Sequence, residues 1–177
     1  MKYIVGVDTG LHGAIAKLDM DMNFVSAIEI PTMLEVRGTK KTKKRSYDIP
    51  RIVEYFNSLD VDDHFFIIEQ TNPMSSHIGG HPATNYFLGG GFFLMVGAIA
   101  MRGFKYDLVR PKAWQKTFFK PASGQTKTLS YQTASRLFPK ATLVTPRGRV
   151  LDGHADALLI AEFGRRKLIG ITETHIT

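Results

Sequence analysis

Four acids have the type and the placement to do chemistry: Asp8, Glu69, Asp152 and Asp156. Asp8 closes the apolar run KYIVGVD, and Glu69 closes HFFIIE. Packing gives no reason for an acid at the end of an unbroken apolar run, so both are candidates for function. Asp152 and Asp156 open LDGHADALLIAEFG, residues 151–164, which is otherwise apolar on nearly every side. A step of four residues turns a helix by about 400°, so the two carboxylates share one face. Collected at one edge, these carboxylates would repel unless divalent cations lay between them. An all-oxygen ligand set suits magnesium or manganese. Two such ions promote in-line displacement at a phosphodiester, one activating water and the other steadying the leaving oxygen. His154 lies about 200° around the helix from Asp156 and is expected to point elsewhere. Asp152 also stands where a helix N-cap would, an alternative the spacing leaves open.

The elements that must position these acids can be traced along the chain. Residues 2–8, 14–18 and 24–30 read as three successive antiparallel strands, with a hairpin at 19–23 and a turn at Gly10 and Gly13. RGTKKTKKR, residues 37–45, has no apolar residue and is expected to be a loop. Residues 48–59 have helical spacing at Ile49, Ile52, Val53 and Phe56, with Pro50 tolerated in the first turn. Strand 64–69 follows, then a loop over 70–82 that is rich in Pro, Gly, Ser and Asn. Residues 83–102 predict a long apolar helix whose Gly89, Gly90 and Gly91 are expected to permit close packing. A short strand at 106–109 precedes a helical turn from Pro111 that holds Trp114. TKTLSYQTASRLF predicts an amphipathic helix, 142–149 a loop, and the last helix runs from near Asp152 to Arg165 and Arg166. The order is β-β-β-α-β-α-β-α-α, an α/β fold in one domain over residues 1–177. In such sheets ligands gather at the carboxyl ends of strands, where Asp8 and Glu69 stand.

Bulk properties narrow the class. The chain has 177 residues and a formal charge of +7, which favours a polyanionic partner. With no cysteine, disulfides, thiolate metal sites and cysteine nucleophiles are excluded. The N-terminus lacks the pattern of a signal peptide. The apolar stretch Phe87–Met101, 15 residues, is too short to span a bilayer comfortably, so an intracellular protein without a membrane partner is expected.

Several pieces now match a family in order: GVDTGLHGAIA, FFIIEQ, VRPKAWQKTFF, TKTLSYQTASRLFP and DGHADALLIAEFGRR, spanning residues 4–166. The chain resembles the RuvC-type Holliday junction resolvases, nucleases with the RNase H-like fold, and its last motif looks most like the phage and organellar branch. The resemblance implies a mixed central sheet, three antiparallel strands and then parallel ones, flanked by helices. It implies that Asp8, Glu69, Asp152 and Asp156 bind two Mg²⁺ ions, with Mn²⁺ able to substitute, and that Lys127 acts near the scissile phosphate. It implies a homodimer that makes paired cuts in a four-way DNA junction, in the cytoplasm of a bacterial or phage-infected cell or in an organellar matrix. There are two departures. Bacterial members often space the last two ligands three residues apart, whereas here position 153 is glycine and the acid stands one step earlier. The aromatic that many members place after the second acid is also missing. The nearest are Tyr86 and Phe87, while His77 and His81 in the loop could touch phosphate.

Six of the nine residues in RGTKKTKKR are basic: Arg37, Lys40, Lys41, Lys43, Lys44 and Arg45. Such density suits salt-sensitive phosphate contacts without base readout. Arg110, Lys112, Lys116, Lys120, Arg147 and Arg149 add charge in other loops. GVDTGLHGA also looks like the phosphate loop of actin-like ATPases and sugar kinases, but those need two similar domains and no DGHAD. An RNase H-like nuclease for flaps, other branched DNA or RNA–DNA hybrids is the closer rival, and a non-cutting binder of branched DNA the third.

Overall fold

The computed structural model describes residues 1–37, 42–71, 82–120 and 125–170. A five-stranded sheet carries the site. Strands β1 (Tyr3–Val7), β2 (Ala14–Asp19) and β3 (Phe24–Glu29) form an antiparallel meander. Two further strands, numbered below as β6 (His64–Glu69) and β7 (Lys105–Val109), add in parallel on the other side of β1. The order across the sheet is β3-β2-β1-β6-β7, a mixed sheet as expected.

Residues 37–45 are not simply a loop. Strands β4 (Thr32–Arg37) and β5 (Thr42–Tyr47) pair antiparallel as a two-stranded ribbon separate from the main sheet. Hydrophobic patterning could not show β5, because Lys43, Lys44 and Arg45 are exposed and leave no apolar alternation to read. Residues 38–41, and so Lys40 and Lys41, lie outside the described residues, as do residues 72–81 of the expected loop with His77 and His81.

Both faces of the sheet are covered. Side chains alternate along a strand, so Val5, Val7, Phe66 and Ile68 meet α1 (Ile49–Asn57) and α2 (Pro82–Met101), which contribute Ile52, Phe56, Met95 and Ile99. Asp48 caps α1, its Oδ1 accepting from Arg51 N at 3.3 Å. On the other face Ile4, Ala16, Leu18 and Ile67 meet α5 (Asp152–Leu168), with Trp114 of α3 (Pro111–Phe118) and Ala134 of α4 (Thr126–Leu137). The expected turn at Pro111 is thus a two-turn helix.

Helix α5 lies unusually close to the sheet. A Cβ at Gly6 would overlap the Ala157 carbonyl and come within 2.5 Å of Ala161 N. Only glycine in β1 lets the helix approach that far. Of the three consecutive glycines in α2, only Gly91 is pressed, against Tyr47 and Thr9. A Cβ at Gly89 or Gly90 would meet nothing within 4 Å, so those two serve no close packing among the described residues.

Candidate active site

Strand register and alternation bring Asp8 and Glu69 together. Val7 pairs with Ile68 in the parallel ladder, so Asp8 and Glu69 stand side by side at the carboxyl edge. Both continue the series that faces α5: Ile4, Gly6, Asp8 on one strand and Phe65, Ile67, Glu69 on the other. The first turns of α5 descend onto that edge and add Asp152 and Asp156. The start of α5 is fixed by contact with the turn after Asp8. A Cβ at Gly153 would lie 2.5 Å from His12 O and 2.9 Å from Gly13 Cα. Position 153 therefore has no room for a carboxylate, which accounts for the acid standing one residue earlier.

A cavity of about 480 Å³ opens here, lined by Asp8, Gly10, His12, Tyr47, Phe87, Lys127, Asp152 and Asp156 among others. Glu69 lies outside its wall and is held by the buried Trp114, whose indole Nε1 donates to Glu69 Oε1 at 2.8 Å. Asp8 Oδ1 accepts from Gly10 N at 3.2 Å, so Asp8 also organises its own turn. Asp152 is the first residue of α5 and not its cap. Leu151 is the N-cap and makes no side-chain bond, while Asp152 Oδ2 pairs with Lys127 Nζ at 3.3 Å.

The electrostatics show how closely the acids are coupled. Burial, then the charge of Asp8, push Glu69 up to about 8; the Trp114 bond resists this and Asp156 adds to it. Burial and Asp8 push Asp156 up to about 7, with Asp152 adding and Lys127 opposing. Burial raises Asp8 as well, against the Gly10 bond and the Lys127 charge. The Ser130 hydroxyl of α4 offsets part of the shift at Asp156. Among the described residues it closes no hydrogen bond of ordinary length and angle, and Asp156 Oδ1 is buried without a partner. A buried carboxylate oxygen with no donor is costly and calls for a cation.

Among the described residues, no three of these groups converge on one point as a closed cation centre does. Asp152 is turned to Lys127, Glu69 to Trp114 and Asp8 to Gly10. The donor set nonetheless fits a hard divalent cation: carboxylates only, on two strands and a helix, with an orphaned oxygen among them. His154 is directed away, its Nδ1 lying 3.4 Å from Thr142 O.

Of the six basic residues first singled out, Lys43, Lys44 and Arg45 are exposed on β5 and Arg37 ends β4. Arg149 is committed to an ion pair with Glu29 at 2.8 Å. Tyr86 is not core: it is exposed at the start of α2, while Phe87 is half-buried and lines the cavity. Sequence reasoning missed Trp114 and Tyr47 as members of the site. The first left a signal, because the chain's one tryptophan carries an N–H that needs an acceptor when buried. The second left none, since its partner is a backbone carbonyl.

Sheet order, two covered faces and carboxylates at the carboxyl edge define an α/β protein of the RNase H-like class. No family model matches the chain, and no curated protein matches it. Among solved structures it is similar to Thermus thermophilus RuvC. RuvC in complex with a Holliday junction substrate aligns over 95% of this chain and 96% of its own, with a TM-score of 0.54 and 11% identity. A second RuvC structure from Thermus thermophilus aligns over the same shares, with a TM-score of 0.52 and 13% identity. The chain has the RuvC fold.

Proposed function

We propose that the chain is a metal-dependent endonuclease that resolves four-way DNA junctions. The observation that carries this reading is the buried Asp156 Oδ1, unpartnered among the described residues and in the field of Asp8 and Asp152, at the sheet edge where this fold class places ligands. The fold likeness to a protein whose structure is in complex with a Holliday junction substrate supports the choice of substrate.

In this reading Asp8, Glu69, Asp156 and Asp152 hold two Mg²⁺ ions, or Mn²⁺ in their place. When bound, the ions supply an activated water and stabilise the leaving oxygen. Trp114 keeps Glu69 aimed at the edge through its 2.8 Å bond. Lys127 has an exposed side chain paired with Asp152 across 3.3 Å. It can swing a positive charge onto a scissile phosphate, where fixed charge lowers the barrier most. Lys43, Lys44 and Arg45 would run along a DNA arm, and the charge density of RGTKKTKKR extends this role to Arg37, Lys40 and Lys41.

Paired cuts need two sites, hence a homodimer. The face that suits a second copy is on α2, which carries no charged residue. Tyr86, Phe93 and Met101 on it are 74%, 71% and 90% exposed. Among the described residues no helix is long and apolar enough to cross a membrane. Phe93→Glu should shift sedimentation equilibrium to the monomer; a dimer that persists would move the interface elsewhere.

The deciding experiment is cleavage of a labelled immobile four-way junction with Mg²⁺, beside a linear duplex, a flap and an RNA–DNA hybrid. Paired symmetric nicks in the junction alone are expected. Preferential cutting of hybrid or flap would assign the same acids to another RNase H-like activity. Tight binding with no cutting of any substrate would overturn the nuclease reading.

A further inference from the structure

The basic ribbon is tied to the acid cluster through one hydroxyl. Tyr47 is the last residue of β5, and its Oη donates to Thr9 O at 3.0 Å. The Phe87 carbonyl at the start of α2 lies 3.4 Å from the same hydroxyl. Thr9 is 2% exposed and follows Asp8, and its Oγ1 lies 3.0 Å from Thr71 Oγ1, two residues past Glu69. A Cβ at Gly91 would overlap this same Tyr47 hydroxyl, so α2 is fitted against it. The ribbon, the turn of Asp8 and helix α2 therefore meet at Tyr47 Oη.

The ribbon stands apart from the five-stranded sheet. It belongs to no larger sheet, and an isolated two-stranded ribbon is marginally stable in water. Its base is closed by Asp48 N donating to Pro31 O at 3.0 Å. By register and alternation, Leu34 and Arg45 share the face of Tyr47. Both are exposed, Leu34 to 63%, so that face runs from solvent down to the hydroxyl. A load applied at Arg45, Lys44 or Lys43 would reach the main sheet through Tyr47.

We propose that Tyr47 is a positioning residue that couples DNA contact on the β4–β5 ribbon to the placement of Asp8. The inference rests on the DNA-cutting reading above. DNA phosphates on the ribbon fix it, the Tyr47 hydroxyl passes that order to the Thr9 backbone, and Asp8 is held in line with Glu69 and Asp156. A Tyr47 that merely filled the cavity wall would be replaced without loss by phenylalanine, which keeps the ring.

The test is Tyr47→Phe, read by amide hydrogen exchange with junction DNA in the absence of metal and by single-turnover cleavage with Mg²⁺. In the unaltered chain, junction DNA should protect residues 42–47 and residues 9–13 together. In Tyr47→Phe it should protect the ribbon alone, with junction affinity within about twofold and cleavage slowed about tenfold, or about 1.4 kcal/mol. Protection of both segments in the variant, with an unchanged cleavage rate, would overturn the latch and leave the nuclease reading standing. No protection of the ribbon in the unaltered chain would overturn the DNA contact on which the latch depends. A thermal melt of Tyr47→Phe within a few degrees of the parent separates lost coupling from lost folding. Lys43→Ala with Arg45→Ala should instead weaken junction binding, with a smaller salt dependence, and lose the protection of residues 9–13 with that of the ribbon.

Discussion

Helix α5 buries a carboxylate near each end, and the two are treated in opposite ways. Glu162 is 0% exposed and fully answered. Arg165 donates to it twice, at 2.7 and 3.0 Å, and Arg166 once, at 2.8 Å. Arg165 also reaches Met20 O at 3.2 Å and so ties the helix to the β2–β3 turn. Asp156, six residues earlier, has an oxygen with no donor and two further acids acting on it. Burying a charge costs several kcal/mol unless it is paired and hydrogen-bonded. One helix therefore holds both a carboxylate that serves the fold and one that burdens it. The burden is what marks the site: Lys127 and Ser130 offset only part of it, and among the described residues no donor reaches Asp156 Oδ1.

The comparison is best broken by removing the charges one at a time. The largest effect is expected at the unpaired end: Asp156→Asn, Asp8→Asn and Glu69→Gln should each abolish single-turnover junction cleavage while leaving junction affinity intact. Cutting that survives any one of them removes that residue from the metal centre. In the metal-free chain Asp156→Asn should also raise stability at about pH 8, by on the order of 2 kcal/mol, because the amide carries no charge to bury. At the other end the sign reverses. Glu162→Gln leaves two arginines short of their anion and should lower stability by about 3–5 kcal/mol in urea unfolding, with the cleavage rate per folded molecule unchanged. A rate loss at Glu162 larger than its stability loss would mean that the two ends are not separate.

pH sharpens the same contrast. Asp156 and Glu69 titrate near 7 and 8 in the fold, well above the ordinary carboxylate range of the unfolded chain. Between those values the folded chain holds more protons than the unfolded one, so stability falls as pH rises. In chelator, the melting temperature should drop from about pH 5 to about pH 8 and level off above that. Saturating Mg²⁺ should flatten the drop, and the double variant Asp156→Asn, Glu69→Gln should lack most of it. A melting temperature that rises over this range in chelator would show that the cluster is not buried as described.

Periodicity showed the main sheet, and it failed at the ribbon for a physical reason. Runs such as YIVGV and HFFIIE are buried on both faces, so their apolar character is unavoidable. TKKRSY exposes Lys43, Lys44 and Arg45 and meets the core only at its end, through Tyr47, so backbone pairing rather than apolar alternation makes it a strand. The four acids were legible because each interrupts or ends an apolar segment. What these positions could not show is how each acid is held: Asp152 by a lysine on another helix, Glu69 by an indole 45 residues away. Glu162 was legible in principle, since it precedes Arg165 and Arg166 by three and four residues. The apolar helix around it drew attention to the wrong end.

The smallest expected effect falls on Lys127, and it separates its two possible partners. Its bond to Asp152 joins an exposed side chain to a half-exposed one across 3.3 Å, a geometry worth less than about 1 kcal/mol. Lys127→Ala should therefore leave the melting temperature nearly unchanged. If the lysine exists to neutralise Asp152, cleavage should survive too, and weaker metal binding would be its only trace. If it serves the scissile phosphate, single-turnover cleavage should slow by about ten- to a hundredfold at saturating Mg²⁺. Lys127→Arg keeps the charge but changes its shape, so it should restore metal dependence while recovering only part of the rate. An unaltered rate in Lys127→Ala would return the lysine to the surface and leave the carboxylates to act without it.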